Sequence, residues 1–415
     1  MKRISSNMMN NDLQYQLRRQ EEALAKIQNQ MGTQKRIHEL RDNPLAAART
    51  VRYESYLSRL ERFEENTKYA RDHLRHVDIY LYHGINVMQR IREISVQGAN
   101  GIYSRDDLRL MAVEVNELLT ELVSVANALG PDGNRIFAGD KAFTEPFRIV
   151  EGTVEGGGDL MVVNVEYRGA GPGRNTEISE GVFAALDIGG GEAFWAERMQ
   201  IFSSVDASNW RANEHGAFFI NGREITVTPG DTLPVIVAKI NDSSVPVKAY
   251  IDPQTRGLVL EGSNPHLIRI EDRQDSSIME DLGIIQFNSD PSAPNWSNRA
   301  RVTGGSAFDM VLRLRDALFR GDYEFIGGQG IGGIDLGLNN MGARLAEIGA
   351  RQERAEMAWV KLNSEIPNVS SYIGRESGLD MGTAAMNLAN MDFAHRAALQ
   401  TAARIIPPTL LDFLR

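Results

Sequence analysis

The chain has 415 residues, of which 42% are hydrophobic and 24% are charged, a composition typical of two or three soluble domains. The formal charge of −10 argues against nucleic acid as a main partner, and the absence of cysteine excludes disulfides, thiolate metal sites and cysteine nucleophiles. No apolar run approaches the ~20 residues of a membrane span, and no apolar region follows the basic N-terminus, so we expect neither membrane insertion nor a cleaved signal.

The first predicted element is a helix with one narrow apolar seam. Its seam positions are separated by steps of 4, 3, 4, 3 and 4 residues, the spacing of a heptad repeat. Glycine is costly inside a helix and common just after its end, so the helix should end near Gly32. The seam consists of Leu13, Leu17, Gln20, Leu24, Ile27 and Met31.

The second helix should begin at Asp42-Asn43-Pro44 and continue to about Gly98, with only a weak interruption at Gly84. An unbroken heptad stripe runs through residues 53–81, and charged residues cover the rest of the surface. Such a helix cannot bury itself and needs another helix along its length. The stripe consists of Tyr53, Tyr56, Leu60, Phe63, Thr67, Ala70, Leu74, Val77 and Leu81.

The predicted partner is a third helix, whose stripe runs from Leu108 to Leu129 and ends at Gly130-Pro131. Ser104 and Asp107 predict a near capping box at its start. Residues 45–129 should therefore form an antiparallel helical pair, and residues 334–366 of a later helix are a second predicted partner of the stripe.

Glycine and β-branched residues become frequent between residues 131 and 306, where the heptads disappear. Alternation at Met161, Val163, Val165 and Tyr167 predicts a half-buried strand. Asn221-Gly222 between two apolar runs predicts a β-hairpin. A short helix and further strands should follow it, which makes the middle of the chain a β-rich insertion.

Helices return after the insertion. A short helix is expected at residues 307–319, then a glycine loop at 327–333, and then a long helix that Pro367 closes. A last helix should carry Leu388, His395 and neighbouring seam residues as far as Pro407-Pro408.

The predicted fold class is mainly α with a β-rich insertion. Both chain ends should form a long antiparallel bundle, or coiled-coil rod, from which the central mixed β domain projects. The outermost segments, 8–31 and 384–406, carry seams without a third partner in the chain, and such seams are usually covered by other copies. The predicted assembly interface comprises Leu13, Leu17, Leu24, Ile27, Met31, Leu388, Met391, Leu399, Ala402, Ile405, Leu410, Leu411, Phe413 and Leu414.

The terminal motifs resemble flagellin-like proteins of the bacterial flagellum. At the N-terminal end the resemblance rests on Arg3-Ile4-Ser5, Lys35-Arg36-Ile37 with Asp42-Asn43-Pro44, and residues 93–101 (EISVQGANG). At the C-terminal end it rests on residues 387–402 and the closing Leu410-Leu411-Asp412-Phe413-Leu414. His38-Glu39-Leu40-Arg41 departs from the small residues usual in the family before the Asp-Asn-Pro turn.

Two internal segments refine this resemblance. Ile220-Asn221-Gly222 and Gly230-Asp231-Thr232-Leu233 look like the insertion motif of flagellins and hook-associated proteins. Gly133-Asn134-Arg135-Ile136-Phe137-Ala138-Gly139, followed by Thr144-Glu145-Pro146-Phe147, resembles the third hook-associated proteins of the hook–filament junction. A flagellin, the subunit of the filament itself, is the alternative within the family.

The resemblance implies a structural protein without catalytic, cofactor or metal sites. It implies uncleaved export through the flagellar type III apparatus, with an export chaperone, and assembly as a ring outside the cell or in the periplasm. Its neighbours would be the first hook-associated protein on the hook side and flagellin on the filament side. The expected domains are an assembly domain of 1–40 and 384–415, a rod domain of 41–147 and 306–383, and an outer domain of 148–305 with the insertion unit at 217–270.

Two other patterns carry potential chemistry. Gly328-Gln329-Gly330-Ile331-Gly332-Gly333 matches the G-x-G-x-x-G of nucleotide-binding loops, but the long heptad helix after it favours a flexible connector over a nucleotide-binding enzyme. His73 and His76 lie one helical turn apart, a spacing compatible with zinc, but we expect solvated positions because no further ligand pattern accompanies them.

Overall fold

Long helices occupy both ends of the chain and strands occupy its middle, which confirms the predicted fold class. The computed structural model describes residues 6–39, 41–158, 160–171, 173–274, 276–286 and 295–405. The helices are α1 Ser6–Thr33, α2 Pro44–Ala99, α3 Arg105–Ala126, α4 Gly190–Ala193, α5 Leu233–Asp242, α6 Ile278–Asp281, α7 Ala307–Arg320, α8 Tyr323–Phe325, α9 Ile331–Ser377 and α10 Met381–Ile405. The strands are β1 Phe147–Thr153, β2 Leu160–Tyr167, β3 Asn175–Ser179, β4 Val182–Ala185, β5 Gln200–Ser203, β6 Gly216–Ile220, β7 Arg223–Val227, β8 Val247–Ile251, β9 Leu258–Gly262, β10 Ile270–Asp272 and β11 Ala300–Thr303.

The chain divides into two compact units. One is drawn from residues 1–65 and 359–415 and the other from residues 66–358. In the second unit the C-terminal half of α2 shares one core with α3, α7 and the first half of α9. Leu74, Val77 and Leu81 of the predicted stripe are completely buried there, as the heptad spacing requires. Gly84 does not interrupt α2, and a Cβ at this position would lie 2.8 Å from Met341 Cε. The glycine therefore permits close packing of α2 against α9.

The two halves of the stripe have different partners, and the second predicted partner, residues 334–366, supplies that of the N-terminal half. In the unit of residues 1–65 and 359–415, Leu60 and Phe63 pack against Leu362 and Val369 of α9, not against α3. The reason is length: α3 has 22 residues and α2 has 56, so α3 can cover less than half of α2.

Pro367 does not end the fourth long helix, as predicted, but lies inside α9. A proline within a helix costs about 3 kcal/mol. Leu362 before it and Val369 after it are both buried against α2, and this burial on both sides offsets the cost.

The predicted glycine loop at 327–333 is also wrong, because the segment is helical. Ile326–Gly330 forms a π-helical turn that leads directly into α9. A Cβ on Gly333 would lie 2.6 Å from Met310 Sδ, so the glycine lets α9 approach α7 closely. Residues 323–326, which could have formed the strand before a nucleotide-binding loop, are helical as well.

The β-rich region contains a second core. Four strands pair in the order β11-β5-β9-β8, three pair as β10-β6-β7, and β1-β2 and β3-β4 form two-stranded sheets. The hairpin at Asn221-Gly222 is confirmed: both residues have positive φ, 50° and 80°, as its tight turn demands. α5 buries Leu233, Ile236 and Ile240 in the same core.

The simple alternation predicted for β2 is wrong. Val150 pairs with Asn164, but Glu151 pairs with Val162, so Val163 is an extra residue in the ladder. This bulge reverses the side-chain alternation at that point. Met161, Val162 and Val165 are consequently buried, whereas Val163 is 39% exposed.

Candidate assembly interface

Two chain connections hold α1 beside α10. The Leu379 N–H donates to Gln34 O over 3.0 Å, and the Arg36 N–H donates to Ser377 O over 2.7 Å. Gln34 has a positive φ of 58°, which turns the chain sharply after α1. Because α1 ends where α10 begins, the two helices are antiparallel.

The turn before α2 is fixed by Asp42 and Asn43. The Asp42 carboxylate accepts hydrogen bonds from Lys26 Nζ at 2.6 Å and from the backbone N–H of His38 and Glu39, both at 3.2 Å. These bonds lower the pKa of Asp42 to about 2. Asn43 Oδ1 accepts from the Ala46 N–H at 3.1 Å and caps α2, so the predicted helix start is confirmed.

The predicted seams of α1 and α10 face each other, since the two helices pack together. Their side chains are only partly covered, with Met391 38% and Leu399 45% exposed at the edges of the contact. Whether other subunits also bind these residues stays a prediction. Ala402 is buried, whereas the half-buried members are Leu13, Leu17, Leu24, Ile27, Met31 and Leu388. Ile405 is the last residue of α10, and Leu410, Leu411, Phe413 and Leu414 lie outside the described residues.

A second apolar face of α10 points away from α1. Met386 is 63% exposed and Phe393 is 77% exposed. With exposed Ala389 and Ala397 they follow steps of 3, 4 and 4 residues, which places all four on one side of the helix. At 100° per residue this side lies opposite Leu388, His395 and Ala402, which face α1 and which we call the inner seam. We call Met386, Ala389, Phe393 and Ala397 the outer face.

Sequence reasoning missed the outer face because it followed only one heptad stripe. The available signal was composition: α10 carries apolar residues almost all round, and such a helix is normally buried on more than one side. One partner, α1, cannot cover both faces.

The segment that resembles junction proteins forms part of the interior. Phe137 and Phe147 are completely or almost completely buried, and each packs edge-on against Phe194, with ring centroids 5.1 and 5.5 Å apart. Gly139 has a φ of +63°, and a Cβ there would collide with the Gly171 carbonyl oxygen. Asn127 caps the end of α3 and pairs with the backbone of Phe147, accepting from its N–H at 2.9 Å and donating to its carbonyl at 2.7 Å. These contacts join the helices to the first strand.

His73 is not a solvated position, as predicted, but a buried one. Its side chain is 4% exposed, and Nε2 lies 3.1 Å from Asp187 Oδ1. Arg174 forms two hydrogen bonds with the same carboxylate, at 2.6 and 2.7 Å. Burial alone would raise the pKa of Asp187, but the bonds from His73 and Arg174 outweigh it and lower the pKa. The three residues hold the segment around β3 and β4 against α2.

Other kinds of site find little support in the part of the chain that the structure describes. There, no three His, Asp or Glu side chains are grouped in a way that could hold a metal ion. No helix among the same residues is both long and apolar enough to cross a lipid bilayer.

Comparison with known proteins supports the resemblance found in the sequence. Residues 4–142 match the family model of the bacterial flagellin N-terminal helical region. The chain is 29% identical to flagellin FlaB1 of Treponema pallidum over 119 residues, which are 29% of this chain and 42% of the flagellin. It is 26% identical to flagellar hook-associated protein 3 of Salmonella typhimurium over 164 residues, which are 40% of this chain and 52% of that protein. The chain thus spans about half the length of the curated relatives that it matches.

Among solved structures, the chain is similar to flagellar hook-associated protein 3 of Legionella pneumophila. The TM-score is 0.45 at 18% sequence identity, and the match covers 78% of this chain and 97% of the Legionella protein. The predicted resemblance to flagellin-like proteins is confirmed by the sequence matches, which include flagellins as well as hook-associated proteins.

Proposed function

We propose that this protein is a structural subunit of the bacterial flagellum that joins the hook to the filament by helical packing. The outer face of α10 carries the proposal. An exposed phenylalanine and methionine on a helix that already packs against α1 form an apolar surface suited to further helices. The flagellin match over residues 4–142 supports a flagellar setting for this packing.

The proposed partners follow from the resemblance. The subunit would self-associate in a ring, with the first hook-associated protein on the hook side and flagellin on the filament side. An export chaperone would cover the apolar terminal helices before export through the flagellar apparatus. The absence of cysteine suits a chain exported unfolded, and the product would lie outside the cell or in the periplasm. No nucleic acid, cofactor or membrane insertion forms part of this proposal.

A domain division accompanies the proposed function. Residues 1–40 and 384–415 would contact neighbouring subunits, residues 41–147 and 306–383 would hold the rod, and residues 148–305 would form the outer domain. Segment 133–147 favours a junction protein over a flagellin, which is the second candidate. Its buried aromatic residues give it a folding role in either case.

A nucleotide-dependent enzyme is disfavoured by the helical geometry of residues 328–333. A loop that cradles a pyrophosphate needs several backbone N–H groups free to face the ligand. Here the π-helical turn and α9 follow one another without a loop. Calorimetry with NAD and NADP should therefore register no binding heat.

Localisation tests the proposed function. Fluorescently labelled protein should form a single band at the hook end of isolated flagella. Label along the whole filament would instead identify a flagellin, and absence from flagella would refute both candidates.

The outer face can be tested in the same assay. Phe393→Ser should reduce the intensity of the band about tenfold, since an exposed aromatic anchor contributes about 1.4 kcal/mol or more to an interface. Phe183→Ser is the matched control, because Phe183 is also exposed, at 58%, but lies on β4. Equal incorporation of the two variants would remove α10 from the interface.

A further inference from the structure

Methionine carries all the oxidisable sulfur in this protein, because the chain has 15 methionines and no cysteine. Their environments differ sharply. Met88, Met279 and Met341 are completely buried, whereas Met386 on the outer face of α10 is 63% exposed. Oxidation of a thioether requires access to the sulfur, so a dissolved oxidant will reach Met386 far more readily than the core methionines.

We propose that Met386 is a peroxide-modification site that controls the apolar character of the outer face. The sulfur lone pair attacks one oxygen of a hydroperoxide, and the O–O bond breaks. The sulfur gains an oxygen and is oxidised by two electrons to the sulfoxide. The other peroxide oxygen is reduced, takes the proton of the transferred oxygen and leaves as water or an alcohol. Hydroperoxide is the only co-reactant.

The position of Met386 determines the consequence. The side chain is solvated in the subunit, so a polar sulfoxide there leaves the inner seam and the two cores intact. Phe393 lies two helical turns away on the same face, with Ala389 between them. A sulfoxide therefore interrupts the apolar surface at one end and lowers its affinity for apolar partners. This inference rests on the proposed function, in which the outer face contacts neighbouring subunits.

The test uses the full-length protein treated with hydrogen peroxide. Mass mapping of peptides should show that Met386 oxidises at least about tenfold faster than Met88. Retention on a hydrophobic-interaction column should fall, while the circular dichroism spectrum remains unchanged. Met386→Gln should show low retention without any peroxide.

Met357 provides the matched control, because it is 61% exposed but lies on α9. After peroxide treatment, the column retention of Met357→Leu should fall as much as that of the native protein. The fall for Met386→Leu should be less than half as large. Equal oxidation rates at Met386 and Met88, or equal losses in the two leucine variants, would overturn the inference. If the retention results hold but untreated protein is absent from flagella, the proposed function fails and the modification site stands.

Discussion

Arg315 is the largest fully buried side chain among the described residues, and it joins three elements. From α7 it donates hydrogen bonds to Asn116 Oδ1 on α3, at 2.9 Å, and to the Val162 carbonyl on β2. Its charge is balanced by Asp316 Oδ1, 2.7 Å away. A buried cation of this kind fixes the relative positions of α3, α7 and β2 more specifically than apolar packing alone.

Arg315→Met should therefore destabilise the unit of residues 66–358. The variant leaves two acceptors without a donor, which lowers the free energy of unfolding by about 2–4 kcal/mol. Urea denaturation followed by circular dichroism measures the effect. Arg313→Met, at an exposed position of the same helix, should change the free energy by less than about 0.5 kcal/mol. Equal effects would show that Arg315 has only a packing role.

Asp272 predicts a pH dependence of stability. Burial raises the pKa of its carboxyl to about 6, although the Met279 and Glu280 N–H groups donate to it. Because the raised pKa means that the folded state favours the neutral form, this contribution is complete below about pH 4. It is lost as the pH rises through 6 and amounts to at most about 3 kcal/mol.

Urea midpoints between pH 4.5 and 7 measure this loss. Asp272→Asn cannot titrate and should flatten the profile, whereas Asp242→Asn, at an exposed position, should retain the native slope. A native profile that rises with pH across this range, together with an Asp272→Asn profile that runs parallel to it, would contradict the assignment.

At the scale of elements, heptads and turn residues predicted most helices and the hairpin, because these signals are local. The start of α2 at Pro44 and the capping box at Ser104 also follow from short-range bonds. The errors have a different origin. Whether a glycine ends a helix or permits close packing depends on the atom that a Cβ at that position would contact, as at Gly333 beside Met310. The helix continues through Pro367 only because residues distant in sequence bury the side chains before and after the proline.

The same distinction applies to the candidate interface. The inner seam was predictable because its spacing is regular in sequence. The composition of α10 indicates a second apolar side, but only the pairing of α1 with α10 determines which side remains exposed. The bulge at Val163 is similar, because it depends on the register with β1.

Two polar residues interrupt the seam between α1 and α10. Gln20 Oε1 and His395 Nδ1 are both buried atoms without a hydrogen-bond partner among the described residues. Gln20 lies 13 residues before the end of α1 and His395 14 residues after the start of α10, and the backbone pairing of Lys35 with Gly378 brings these helix ends together. At ~1.5 Å per residue, both side chains therefore lie about 20 Å from the joined helix ends. Together they form a polar layer that can fix the register of the helices.

Replacing both members of this layer by leucine should strengthen the pair but weaken its register. The temperature at which α1 and α10 unfold, measured by hydrogen exchange at increasing temperature, should rise in the double variant. A cysteine is introduced at Leu13 or Leu17 and is paired in turn with a cysteine at different positions of α10. Disulfides should form in more than one alignment in the double leucine variant, but in only one alignment when Gln20 and His395 are retained. A single alignment in both would show that the layer does not set the register.

At the scale of the whole molecule, the described residues differ in how completely they bury apolar side chains. Val115, Leu119 and Leu122 of α3 are completely buried, whereas Leu17 and Leu388 in the pair formed by α1 and α10 are only half-buried. Helices with little tertiary burial open at low free energy. The subunit should thus combine stable cores with terminal helices that become stable on contact with neighbours.

Hydrogen exchange on dilute monomer tests this difference directly. Amides around Leu17 and Leu388 should exchange at least about 100-fold faster than amides around Leu119, because opening of α1 and α10 does not require either core to unfold. In assembled flagella the same terminal amides should become slow, while those around Leu119 change little, since their protection already comes from within the subunit. Deleting residues 411–415 should impair incorporation into flagella but leave the slow amides of the β-rich region unchanged. Slow exchange of α1 and α10 in the monomer would mean that the pair is stable alone, and the terminal helices would then need no neighbour to order them.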